Sequence, residues 1–97
     1  MYVGALTLDL LLGDVRSLKQ KRSVIRPIVA ELQRKYSVSV AETGNHDLYR
    51  RCEIGIAVAA STAAHCTALM NSCERLVADR PEVELLSARQ RLFNDEE

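Results

Sequence analysis

Two helical periodicities set among four alternating apolar segments predict an α+β chain: a four-stranded antiparallel sheet with two helices on one face. The segments run strand, helix, strand, strand, helix, strand, which is two similar βαβ units in succession. Ninety-seven residues suit a single domain, 1–97, able to bury a core without metal or disulfide staples.

The first strand is expected over Tyr2–Leu12, where Leu6, Leu8, Leu10 and Leu12 share one face and Ala5, Thr7 and Asp9 the other. Gly13–Ser17 turns the chain, and Ser17 is a plausible N-cap for a helix over Leu18–Tyr36. Its apolar stripe is Leu18, Ile25, Val29, Leu32 and Tyr36, with Ile28 beside it. Pro27 removes the amide that would bond the Ser23 carbonyl, so a kink or short break is expected there. Ser37–Glu42 (SVSVAE) alternates as the second strand, and Cys52–Ala60 is the third. On the third, Ile54, Ile56 and Val58 face one way and Gly55, Ala57 and Ala59 the other. Ser61 can cap a second helix reaching about Asp79, with the stripe Cys66, Leu69, Met70, Cys73, Leu76 and Val77. Pro81 stops that helix, Glu82–Phe93 supplies the fourth strand, and Asn94–Glu97 is expected to fray. The order is the ferredoxin-like pattern, βαββαβ.

Composition narrows the function classes. The chain has 13 Lys and Arg against 13 Asp and Glu, so its net charge of zero gives no long-range attraction for nucleic acid. The charge is uneven, however: residues 1–51 hold nine basic and five acidic residues, and residues 52–97 hold four and eight. No apolar run approaches the roughly 18 residues of a membrane span. The first segment lacks a basic leader, and the three cysteines, Cys52, Cys66 and Cys73, are odd in number. Cys66 and Cys73 lie seven apart on one helix, roughly 10 Å at 1.5 Å per residue, too far for a disulfide. A cytoplasmic protein with reduced, core-filling thiols and no membrane contact is expected.

The segments SLKQKRSVIRPIVAELQRKYSVSVAETG, DLYRRCEIGIAVAA and PEVELL resemble the YlxP-like family, small bacterial proteins of undefined activity, in matching order from Val3 to about Leu92. The SLKxKRS helix start is the most specific part of the resemblance, followed by VAE…D…IGIAV. The resemblance implies a ferredoxin-like fold. It also implies a link to translation, because genes of the family often sit among those for translation initiation and ribosome maturation. After the Asp47-Leu48 pair the family tends to carry Trp-Gln, where this chain has Tyr49 and Arg50.

The connection around Gly44–Asp47 concentrates reactive side chains. Glu42, His46, Asp47 and Tyr49 could supply acid, base and orienter, with Arg50 and Arg51 holding an anion. Neighbours in a tight turn project in different directions, and no nucleophile elbow or phosphate-cradling glycine loop accompanies them. The stretch therefore reads as a hairpin turn, with Gly44 and Asn45 tolerant of positive φ. His46, Asp47, His65 and Cys66 lack metal-ligand spacing. No catalytic residue, metal or cofactor is assigned.

Binding is the better expectation. Taking Leu18 as zero and about 100° per residue, Lys19, Arg22 and Arg26 fall at about 100°, 40° and 80°, one flank beside the apolar stripe. Lys21 lies on the other side. Lys19, Arg22, Arg26, Arg50 and Arg51 are the candidate nucleic-acid contacts of a non-catalytic accessory protein on the ribosomal subunit or another structured RNA. The open sheet face carries no aromatic platform on its central strands, so base stacking of the RRM kind is disfavoured. Its small residues Ala5, Thr7, Gly55, Ala57 and Ala59 let another surface approach closely. The alternative is thus a homodimer, or a docking or regulatory module without nucleic acid, using that face.

Overall fold

The computed structural model describes residues 1–96. Strand β1 (Tyr2–Leu12) is followed by helix α1 (Leu18–Tyr36), β2 (Ser39–Gly44), β3 (Arg51–Ala60), α2 (Ala63–Ala78) and β4 (Val83–Asn94). The sheet order is β2-β3-β1-β4 and every pairing is antiparallel. Alternation along β1 decides the layering. Leu6, Leu8, Leu10 and Leu12 lie buried beneath the helices, and Ala5, Thr7 and Asp9 point to the other side. Ile54, Ile56 and Val58 of β3 join the same core, with Ile25, Ile28 and Leu32 from α1 and Cys66, Met70, Cys73 and Val77 from α2. Helix α2 packs on β1, β3 and β4, and α1 packs on β2 and α2. A Cβ added at Gly4 would come within 2.7 Å of Met70 Sδ, so the side chains of Met70 and Cys66 from α2 fill the space that a larger residue would take on β1. Among the described residues, no helix is long and apolar enough to cross a membrane.

Several local expectations change. Ser37 takes the left-handed conformation (φ 53°) and its N–H bonds the Gln33 carbonyl, closing α1. Strand β2 consequently starts at Ser39, two residues late. Helix α1 runs unbroken through Pro27, which lies on its exposed side with Ser23, where water can satisfy the freed carbonyl. The N-cap of α2 is Thr62 rather than Ser61, its hydroxyl accepting from the His65 amide at 3.1 Å. The C-terminal stretch is tied down, not frayed: Asp95 bonds the Met1 amino group at 2.8 Å, and its amide bonds the Met1 carbonyl. The ammonium holds the Asp95 carboxyl below its usual range. The expectation for Glu97 falls outside the described residues.

The three thiols are free and fully buried. Burial pushes Cys52 from 9.0 up to about 12; the Glu42 carboxylate adds to the rise and Lys21 opposes it. Burial alone raises Cys66 and Cys73. Above pH 9 the unfolded chain sheds thiol protons that the native state keeps, so stability falls as pH climbs from about 9 towards 12. Native protein is therefore expected to resist a thiol-specific reagent at pH 8 and react in step with urea unfolding. Immediate labelling of a thiol under native conditions would contradict this packing.

Candidate functional site

The first turns of α1 and the β2–β3 connection form one end of the molecule. Ser17 caps the helix, accepting from the Gln20 amide at 3.1 Å, and Gln20 Oε1 accepts from the Arg16 amide at 2.6 Å. This arrangement fixes the rotation of the helix and sends Lys21 into the protein. Lys21 is only 2% exposed. Its Nζ lies 3.0 Å from Glu42 Oε1 and donates to the Asn45 carbonyl at 2.7 Å. Asn45 presents that carbonyl from the left-handed region (φ 60°). Glu42 projects from β2 with its side chain 29% exposed, and, after burial itself, its carboxylate helps to raise the pKa of the Cys52 thiol. The ammonium thus stitches the start of α1 to the strand and the turn. It also joins the SLKQKRS and VAE segments, the two most specific parts of the resemblance noted above.

Placing Lys21 across the helix from the basic flank holds, but its position is not solvated. On the helical wheel it sits at about 300°, between Ile28 at about 280° and Leu32 at about 320°. The buried residues of α1 are Lys21, Ile25, Ile28 and Leu32, so the buried face is centred near 310° and Ile28 belongs to it rather than lying beside it, at about 100° per residue. Weighting Ile28 equally with Val29 on the wheel is the signal that would have found the lysine.

With Lys21 turned inward, Lys19, Arg22 and Arg26 stand exposed on the neighbouring flank. None has a carboxylate within ion-pair distance among the described residues, and no acid lies in the first turn of α1. Arg22 and Arg26 wall a groove of about 330 Å³ between α1 and the free edge of β2, floored by Ile25, Val29 and Glu42. Arg50 is anchored: its Nε donates to the carbonyls of Gly13 at 2.8 Å and Leu12 at 3.2 Å. That bond ties the hairpin to the end of β1. Arg51 is exposed at the start of β3.

The reactive residues of the turn do not converge. His46 Nε2 donates to the Glu42 carbonyl at 3.0 Å, and Asp47 and Tyr49 are exposed. Cys52 is a buried, protonated thiol, unsuited to nucleophilic attack. Among the described residues, no three His, Cys, Asp or Glu side chains are grouped to hold a metal.

On the opposite side of the sheet, Ala5 pairs with Ala57, Thr7 with Gly55 and Val3 with Ala59. With Ser39 and Ala41 of β2, Ala5, Thr7, Gly55 and Ala57 floor a shallow trough of about 500 Å³, from which Val3 and Ala59 stand apart. Strand β4 adds residues that sequence reasoning left aside: Arg91 beside Ala5, Arg89 beside Thr7 and Phe93 beside Val3. The Arg91 guanidinium lies 5.0 Å from the Phe93 ring centre.

The family model described as "Protein of unknown function (DUF503)" matches residues 3–90. The uncharacterized protein YlxP of Bacillus subtilis (strain 168) is 29% identical over 91 residues, 94% of this chain and 99% of that protein. Among solved structures, the solution NMR structure of a de novo designed protein with a ferredoxin fold, LFR1 1, aligns with a TM-score of 0.56 at 13% identity. That alignment covers 98% of this chain and 88% of the designed one, a likeness of fold alone. The match across 3–90, with the βαββαβ sheet beneath it, places the chain in the DUF503 family of YlxP-like proteins.

Proposed function

We propose that the chain is a non-catalytic, cytoplasmic accessory protein that holds the phosphate backbone of structured RNA, with the ribosomal subunits as the setting that the family resemblance implies. The observation that carries this reading is the unpaired ridge of Lys19, Arg22 and Arg26. Glu42, which lines the same groove as Arg22 and Arg26, is engaged by Lys21, and Asp14 is paired with Arg16. Three neighbouring cations without counter-ions, with Lys19 in the first turn of the helix, are unfavourable for folding and favourable for an anionic partner. Arg51, and Arg50 held by its Nε, extend the charge onto the hairpin. Contacts of this kind read phosphate and shape, not sequence. Three buried, unpaired thiols agree with a reducing compartment.

Co-sedimentation with ribosomal subunits over a salt series tests the reading. Wild-type protein should pellet with subunits at about 50 mM salt and leave them as salt rises. Arg22→Glu/Arg26→Glu should remain in the supernatant, and Arg51→Glu should pellet less. Wild-type protein that fails to pellet even at low salt would exclude the ribosomal setting.

A further inference from the structure

We infer that the open sheet face is the interface of a two-fold homodimer, with the Arg89–Arg91 pair of each copy seated on Asp9 and Glu53 of the other. The face carries its own complement. Glu53 and Asp9 are neighbours at one end, and Arg89 and Arg91 follow along β4 at the side. Two acids and two bases therefore share one surface.

The register converts this into geometry. Strands lie about 4.8 Å apart, and residues on one face recur about every 6.8 Å along each strand. On that grid, Thr7 lies midway between Arg91 and Glu53. A two-fold axis in the plane of the face, passing over Thr7, exchanges those two positions. The same rotation carries Arg89 to within about 3 Å of the position of Asp9. The strands of the two copies would cross at roughly 70°, close to orthogonal sheet packing. Beneath the axis lie Thr7, Gly55, Ala5 and Ala57, side chains short enough for two sheets to approach.

Within one chain the two arginines are only loosely held, whereas Glu53 accepts from the Thr43 hydroxyl at 2.7 Å and Asp9 from the Ser87 hydroxyl at 2.8 Å. These single bonds leave each carboxylate further lone pairs for an arginine. The Arg89–Glu53 contact is 3.5 Å with Arg89 65% exposed, and Arg91 meets only the ring of Phe93, itself 44% exposed. A partner of opposite charge pattern is therefore free to engage them. A uniformly charged partner would satisfy one pair and repel the other, which favours a second copy. Four strands by four rows give a footprint of roughly 500 Å² per copy, or about 1,000 Å² in all, the lower bound of specific interfaces. The dimer is accordingly a weak one. The helices occupy the opposite side of the sheet, so both α1 ridges stay outward.

Sedimentation velocity from about 10 to about 500 µM at low salt tests this on RNA-free protein. The wild type should pass from monomer to dimer across that range. Arg89→Glu/Arg91→Glu and Asp9→Lys/Glu53→Lys should each stay monomeric, and an equimolar mixture of the two should recover the dimer. Far-UV circular dichroism checks that each variant folds; Arg91→Glu and Glu53→Lys singly replace any double variant that does not. A wild type monomeric at the top concentration would overturn the inference. So would self-association unchanged by both reversals, or a mixture that stays monomeric. None of these outcomes touches the ridge on α1, so the two readings fail separately.

Discussion

Lys21→Met should destabilise the protein by about 2–4 kcal/mol, read as a lowered urea midpoint at pH 7. Removing one partner of a buried pair leaves the other charge uncompensated, which costs about 3–5 kcal/mol when both are fully enclosed. Glu42 keeps 29% of its side chain in water, so the lower part of that range applies. One further group loses its partner as well, the Asn45 carbonyl at 2.7 Å, and with it goes the tie between α1 and the hairpin. In a chain of this length the midpoint of thermal unfolding should drop by about 4–8 °C per kcal/mol. Glu42→Leu strands the ammonium instead, and it too should be severe. The double variant Lys21→Met/Glu42→Leu should recover much of the loss, because an apolar pair of similar volume avoids desolvating two charges. Single costs that simply add in the double variant would show that the two residues do not act as a unit.

Arg22→Glu/Arg26→Glu should weaken RNA binding on the order of 100-fold or more at low salt, leaving one of three ridge cations and adding repulsion. The fold should tolerate it. Both side chains are exposed and make no ion pair among the described residues, so their replacement removes no stabilising contact. Equal or higher stability with lost binding separates a functional ridge from a structural one. The charge-matched control is Arg34→Glu/Lys35→Glu, in the last turn of α1. That pair should bind nearly as the wild type does.

Much of the architecture is legible in the sequence because strand and helix periods differ so plainly. The leucines at every second position of β1 are all buried, and the stripe of α2 contributes Cys66, Met70, Cys73 and Val77 to the core as expected. Legibility ends where two residues of similar chemistry compete or where one residue shifts the phase. Ser61 and Thr62 can both cap, and only the backbone angles choose Thr62. Ser37 suits a strand by alternation, but ending α1 requires a left-handed residue there. The pairing of β4 shifts register opposite Asp9 and Leu10, leaving Leu86 between the two registers. Past that point parity reverses, so which residues of β4 join Ala5 and Thr7 cannot be counted from its start. That is why Arg89 and Arg91 escaped notice. Lys21 escaped because a lysine on a helix is ordinarily read as solvated; its two partners, Glu42 and Asn45, come from beyond the helix.

The candidate site divides in the same way. The flank formed by Lys19, Arg22 and Arg26 follows from helical spacing and is exposed. The anchoring of Arg50 to Gly13 and Leu12 depends on hairpin geometry, which spacing does not carry. What separates the ridge from an ordinary solvated flank is the engagement of Glu42 by Lys21, a tertiary contact.

The most direct measurement is the salt dependence of binding to a structured RNA hairpin, followed by fluorescence anisotropy between about 50 and about 200 mM monovalent salt. Four phosphate contacts, three on the ridge and Arg51 on the hairpin, should give a log–log slope of about −3.6 and an affinity loss of about 150-fold across that range. Arg22→Ala should flatten the slope by about one. A slope near zero, or one that Arg22→Ala leaves unchanged, would contradict a phosphate-binding ridge on α1.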